Sequence, residues 1–144
     1  MENLSNTSKI ILNLSSLQSK VTKRFDNCLS LHGISLNEFM LLFHLSKAPD
    51  QKMRRIDLAE KIGLSASGVT RMLLPMQKIG LVQKEANLRD ARVSLVKLSS
   101  GGERIFAEAM QTMQQNSGNY LSLLSTKKVD DLLKVLIQLG GEVE

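Results

Sequence analysis

Two groups of residues in this chain have types and spacings that bear on recognition chemistry. Asp90 and Arg92 set a carboxylate and a guanidinium two positions apart in a polar stretch, Asn87-Leu88-Arg89-Asp90-Ala91-Arg92. Such an aspartate can hold the guanidinium by a charge-assisted bond, although an exposed pair contributes little by itself. Ser65, Ser67, Gly68, Thr70 and Arg71 are small, polar or cationic residues at the start of an expected helix. That composition suits a helix end pushed into the major groove of duplex DNA. Arginine takes guanine O6 and N7 in a bidentate bond, while Ser and Thr hydroxyls donate to phosphates or to either base. The plainer role for the hydroxyls is capping and solvation, so Arg71 is the leading base-reading candidate.

Catalytic patterns are not found. His32 and His44 do not stand at metal-ligand spacing from Cys, Asp or Glu. There is no nucleophile elbow or phosphate-cradling glycine loop, and Gly101-Gly102 and Gly140-Gly141 fall at helix ends. The sequence reads as that of a non-enzyme without metal or cofactor.

Charge distribution supports a polyanion partner. The whole chain carries +5, but Lys47 to Arg104 holds six Lys and six Arg against three Asp and three Glu, a net of +6. The flanks together are at −1, so the excess positive charge is a central block, the footprint expected for nucleic acid. Four Phe, one Tyr and no Trp leave the core to aliphatic residues and Met, which favours helices. A single cysteine excludes an internal disulfide framework. The opening MENLSNTSK does not read as a signal peptide, and no apolar run has bilayer length, so a cytoplasmic protein with no membrane partner is expected.

The elements that must position these residues follow from periodicity. Ile10, Leu14, Leu17, Val21 and Cys28 predict an amphipathic helix over about Ser5 to Leu31, ended by Gly33. Ser35 and Glu38 form a capping box for a second helix through Phe39, Leu42, Phe43 and Leu45, stopped by Ala48-Pro49-Asp50. Short helices near Arg55 to Ile62 and Ala66 to Lys78 flank Gly63-Leu64-Ser65. Leu81 to Glu85 and Val93 to Leu98 predict a hairpin around the loop Ala86 to Arg92. Ser100 with Glu103 reads as a capping box for a helix carrying Ile105, Phe106, Ala109, Met110 and Met113. A last helix starts near Thr126 and carries Val129, Leu132, Leu133, Leu136 and Leu139.

The stretch Arg55 to Gly80 has the pattern of a helix–turn–helix. Ala59 provides a small contact where two helices cross, Gly63 tolerates a left-handed turn, and Val69 packs back; a generic helical hairpin is the alternative. Leu58, Ile62, Leu64, Met72 and Leu73 complete the interior, and Ser65 caps the second helix. Pro75 removes a backbone bond to the Arg71 carbonyl, leaving either a kink or a tolerated packing feature.

After the hairpin loop comes Asp90-Ala91-Arg92, the strand VSLVK, then Leu98-Ser99-Ser100-Gly101-Gly102. This stretch resembles the wing of the multiple-antibiotic-resistance regulator (MarR) family of bacterial transcription factors. That wing has an acidic residue, one spacer and an arginine before a strand ending Leu-Thr-x-x-Gly. Asp90, Arg92, Leu98 and Gly102 match, with Ser99 in place of Thr. LVQKEANLRDAR is similar to the strand into the wing, although Gln83-Lys84-Glu85 is less basic than the family often is. Element order and length extend the resemblance over nearly the whole chain.

The resemblance implies a mainly α fold with a small β-hairpin wing, a winged helix-turn-helix with N- and C-terminal dimerisation helices. One domain would span 1–144, with 5–32 and 103–142 dimerising and 35–100 reading double-stranded DNA. It implies that Arg92 enters the minor groove, where an A/T-rich sequence concentrates negative potential, while Asp90 orients the wing. Ser65, Ser67, Gly68, Thr70, Arg71, Arg89, Asp90 and Arg92 form the expected DNA face. It also implies a homodimer on a pseudo-palindromic operator, acting as a ligand-responsive repressor. The apolar stripes of the terminal helices independently suit an intersubunit bundle; a monomer with a fuller core is the alternative. Family ligands are often small aromatic or phenolic effectors, and Phe25, Met40, His44 and Met110 are the candidate lining, although each reads more readily as core. A redox role for Cys28 is a further alternative. The family's peroxide-sensing cysteine lies nearer the start of the first helix, where this chain has Ile11, and Cys28 reads as packing. The remaining alternative is a winged-helix protein-interaction module.

Overall fold

The structure, a computed structural model, describes residues 3–144. Met1 and Glu2, the start of the stretch read as lacking a signal peptide, lie outside the described residues. Helix α1 (Asn6–Leu29) opens on Ser5, whose hydroxyl accepts from the Ser8 amide at 3.2 Å. A short 3-10 turn, Ser30–His32, follows, and Gly33 closes it at φ 73°, a left-handed backbone that glycine adopts without a Cβ penalty. Helix α2 (Leu36–Lys47) starts with the expected capping box: Ser35 Oγ accepts from Glu38 N at 3.1 Å, and Glu38 Oε1 accepts from Ser35 N at 2.9 Å. Asp26 of α1 also accepts from the Leu36 amide at 2.7 Å, tying the two helices together.

Ala48 and a second 3-10 turn, Pro49–Gln51, end α2. Strand β1 (Lys52–Arg54) leads into helices α3 (Arg55–Ile62) and α4 (Ala66–Lys78), whose limits agree with the sequence reading. Ala59 is buried, Gly63 turns at φ 80°, and Val69 is fully buried, as the helix–turn–helix pattern requires. Strands β2 (Val82–Ala86) and β3 (Ser94–Leu98) form the wing, followed by helices α5 (Ser100–Tyr120) and α6 (Thr126–Gln138).

Two expectations change. The hairpin is part of a three-stranded antiparallel sheet in the order β1-β3-β2, with Met53 opposite Val96 and Lys84 opposite Val96 on the other side. Lys52-Met53-Arg54 is too short to show a two-residue alternation, and it becomes a strand because β3 offers it an edge. The cap of α5 is Ser99, not Ser100: its Oγ accepts from the Gly102 amide at 2.9 Å and donates to the Gly80 carbonyl. Ser100 is instead the first helical residue, because the earlier serine is the one beside the end of α4.

The core lies at the centre of the chain. Leu41, Leu42 and Leu45 of α2 are fully buried in one cluster with Leu58, Val69, Met76, Val96, Leu98 and Ala109. Each such aliphatic side chain contributes about 2 kcal/mol on leaving water. The arms differ. Helix α6 buries no residue, α1 buries only Phe25 and Leu29, and Ile10 and Leu139 are 54% and 68% exposed. Among the described residues no single helix is long and apolar enough to cross a membrane.

Gly102 is buried where α5 leaves the sheet, and a Cβ there would run into the Leu81 carbonyl oxygen and Leu98. Gly102→Ala is expected to destabilise the fold by at least about 2 kcal/mol, measured by chemical denaturation. Wild-type stability in that variant would show that the junction can relax.

Candidate nucleic-acid interface

The start of α4 is built around one hydroxyl. Ser65 Oγ accepts from the Gly68 amide at 3.0 Å and lies 3.2 Å from Ser67 Oγ, so it is committed to capping. Thr70 Oγ1 donates to the Ala66 carbonyl at 3.0 Å, inside its own helix. Gly68 and Thr70, expected to be exposed, are half-buried because they flank the inward-facing Val69. Ser67 and Arg71 remain exposed, and Arg71 makes no ion pair among the described residues. Arg71 therefore presents an uncommitted guanidinium. Pro75 is accommodated inside α4, which continues without a break to Lys78.

The wing carries the other cations. Asp90 Oδ1 accepts from the Arg92 amide at 3.0 Å and from Arg92 Nε at 3.2 Å, while its backbone carbonyl accepts from Val93 N at 3.1 Å. The Arg92 side chain is 91% exposed, so the pair orients the guanidinium without burying it. Asn87 makes a similar turn, its Oδ1 accepting from the Arg89 amide at 3.0 Å. Arg89 is exposed at the tip with Leu88. The carboxylate–arginine geometry expected from Asp90-Ala91-Arg92 is present.

Sequence reasoning passed over Arg54 and Arg55. With Ile56 they line a cleft of about 230 Å³ whose other wall is Arg92, Val93 and Ser94. Both lie in the central basic block, but the β1–β3 pairing that brings them to the wing has no sequence signature.

The four candidate ligand residues are not gathered in one place. Phe25 is buried edge-on against Tyr120, ring centroids 6.1 Å apart, and Met110 packs against the core. Met40 is half-buried on α2. His44 alone of the four lines one of the described cavities, a space of about 580 Å³ walled by Phe43, Lys47, Met53, Lys61 and residues 141–144. It is buried, and its Nε2 has no hydrogen-bond partner among the described residues. Lys61 Nζ and Glu142 Oε2 pair at 3.0 Å beside it. Burial first, and then the Lys61 charge, hold the His44 pKa below its ordinary value, with Glu142 pulling the other way. Cys28 is half-buried against the core, its Sγ donating to the Phe25 carbonyl at 3.4 Å.

This geometry has a counterpart among known proteins: residues 34–94 match the model of the MarR family. That stretch, from just before α2 to the start of β3, is similar to the MarR family of winged-helix transcriptional regulators. The chain's curated relatives include an uncharacterized HTH-type transcriptional regulator, YdgJ, of Bacillus subtilis, 21% identical over 139 residues, covering 96% of this chain and 82% of that protein. Among solved structures, a mutant MarR from E. coli complexed with operator DNA superposes with a TM-score of 0.80 at 23% identity, covering 95% of this chain and 99% of that one. The organohalide-sensing transcriptional regulator RdhR in its 2,4-dichlorophenol-bound form gives 0.83 at 19%, covering 95% and 80%. These likenesses establish the MarR-type winged-helix fold.

A histidine with a lowered pKa binds its proton less readily folded than unfolded, so its contribution to stability is present above the ordinary imidazole value and lost as pH falls below it. Wild type is therefore expected to lose more stability between pH 7 and pH 5 than His44→Gln, read as the difference between their thermal midpoints. Parallel curves for the two proteins would remove the assignment.

Proposed function

We propose that this chain is a MarR-family regulator that binds a pseudo-palindromic operator as a homodimer and acts there as a ligand-responsive repressor. The observation that carries the reading is the exposed Arg92, held at the wing tip by Asp90. In this reading Arg92 enters the minor groove, Arg71 reads base edges in the major groove, and Ser65, Ser67, Gly68, Thr70 and Arg89 contact or shape the same face. Exposed arginines in the recognition helix and at a β-tip would supply donors for two successive grooves.

The homodimer is supported by the arms. Ile10, Leu14 and Leu17 of α1, Leu132 and Leu136 of α6, and Leu139 at the end of α6 are exposed in the single chain. A second copy would cover these stripes and, by two-fold symmetry, set the two α4 helices roughly 34 Å apart, one turn of the duplex. The stretches 5–32 and 103–142 would dimerise while 35–100 reads DNA.

Responsiveness to a small aromatic or phenolic effector is supported by the His44 cavity and its unpaired Nε2, with Phe43 and Lys61 in its wall. It is also supported by the RdhR structure, which holds 2,4-dichlorophenol. An effector that favours one spacing of the reading heads over another would shift DNA affinity by its differential binding. The reading implies a cytoplasmic protein.

Arg92→Ala is expected to weaken binding to operator fragments selected from the host genome by roughly tenfold or more, with the dimer intact by light scattering. Arg71→Ala is expected to change which sequences are selected. Leu136→Asp, placing a charge in the dimer stripe, is expected to yield monomer and to lose operator binding. Undiminished operator binding by Arg92→Ala would sink the wing assignment, and a wild-type monomer would sink the dimer.

A further inference from the structure

We propose that Arg54 and Arg55 form a clamp for one DNA phosphate at the base of the wing, beside Arg92. The proposal rests on the DNA-binding reading and adds a backbone contact to it. One cleft of about 230 Å³ is lined from the α3 side by Arg54, Arg55 and Ile56 and from the wing side by Arg92, Val93 and Ser94. The strand pairing assembles it: Arg54 of β1 stands opposite Leu95 of β3, which draws the start of α3 against the root of the wing.

The charges around the cleft are not balanced. Arg54 Nε and Nη2 donate to the two Asp57 carboxylate oxygens at 3.0 and 3.2 Å, and Arg92 shares Asp90. Arg55 is exposed and has no ion pair among the described residues. Two carboxylates thus face three guanidiniums, and the surplus belongs to Arg55. Asp57 also holds the Arg54 fork in place, so little freedom is left to lose when an anion arrives. Ser94 also lines the cleft and carries no charge. The planar N–H fork of a guanidinium matches the oxygens of a phosphodiester, and the unpaired Arg55 keeps its own fork uncommitted. The phosphate is that of the duplex itself, because the same cleft wall includes the arginine placed in the adjoining groove.

A phosphate contact has a signature that a base contact lacks. It weakens binding about equally on all sequences and removes about one counterion from the salt dependence. Binding of Arg55→Gln and Arg55→Lys to a selected operator and to an unrelated duplex of equal length is measured by fluorescence anisotropy across a salt series. Arg55→Gln is expected to lose about tenfold on both duplexes, with the salt slope shallower by about one. Arg55→Lys is expected to keep the slope while losing part of the affinity. Unchanged affinity and slope in a folded Arg55→Gln overturns the clamp alone, as does a loss confined to the operator, which would make Arg55 a base reader. Failure of the wild type on every duplex overturns the DNA-binding reading and the clamp with it.

Discussion

The arrangement of the reading head depends on how four elements meet at Gly80 and Leu81. Leu81 N donates to the Met76 carbonyl at 2.9 Å, which closes α4, and Ser99 N donates to the Leu81 carbonyl at 3.1 Å, which closes the wing. The Ser99 hydroxyl bonds Gly80 on one side and the first turn of α5 on the other. Gly102 lets the α5 backbone approach the same carbonyl more closely than any side chain would permit. Helix α4, both wing strands and α5 are therefore held by one small hydrogen-bonded junction. Displacing it would move Arg71 relative to Arg92.

The polar chemistry of the head follows a division of labour among similar side chains. Ser65, Ser99 and Thr70 use their hydroxyls on the protein's own backbone, where a buried or helical amide or carbonyl is satisfied. Arginines on the same face carry the outward chemistry. Asp90 and Asp57 restrain Arg92 and Arg54 at the surface, where such pairs add little stability. Their effect is on orientation: a guanidinium already held in place loses less freedom on meeting a phosphate or a base edge.

Apolar residues divide in another way. The middle of the chain buries its leucines around α2, while the outer parts of α1 and α6 leave theirs in water. Two arms with exposed stripes and a compact, basic centre are the parts a two-fold assembly requires: one region to hold copies together and another to be spaced by them. The His44 cavity is walled by central residues of α2, β1 and α3 and by the C-terminal residues 141–144.

Local signals were legible in the sequence wherever one residue type has one physical reason to be present. The capping box of Ser35 and Glu38, the left-handed turn at Gly63, the limits of α3 and α4, and the Asp90–Arg92 pair were read from adjacent residues, because caps, turns and short-range pairs involve only neighbours. Tertiary structure decided what depends on distant partners. It made a strand of Lys52-Met53-Arg54, gave the α5 cap to Ser99 rather than Ser100, and scattered Phe25, Met40 and Met110 away from the His44 cavity. It also brought Arg54 and Arg55 to the wing. Periodicity states which face of an element is apolar, and only packing determines which other element that face meets.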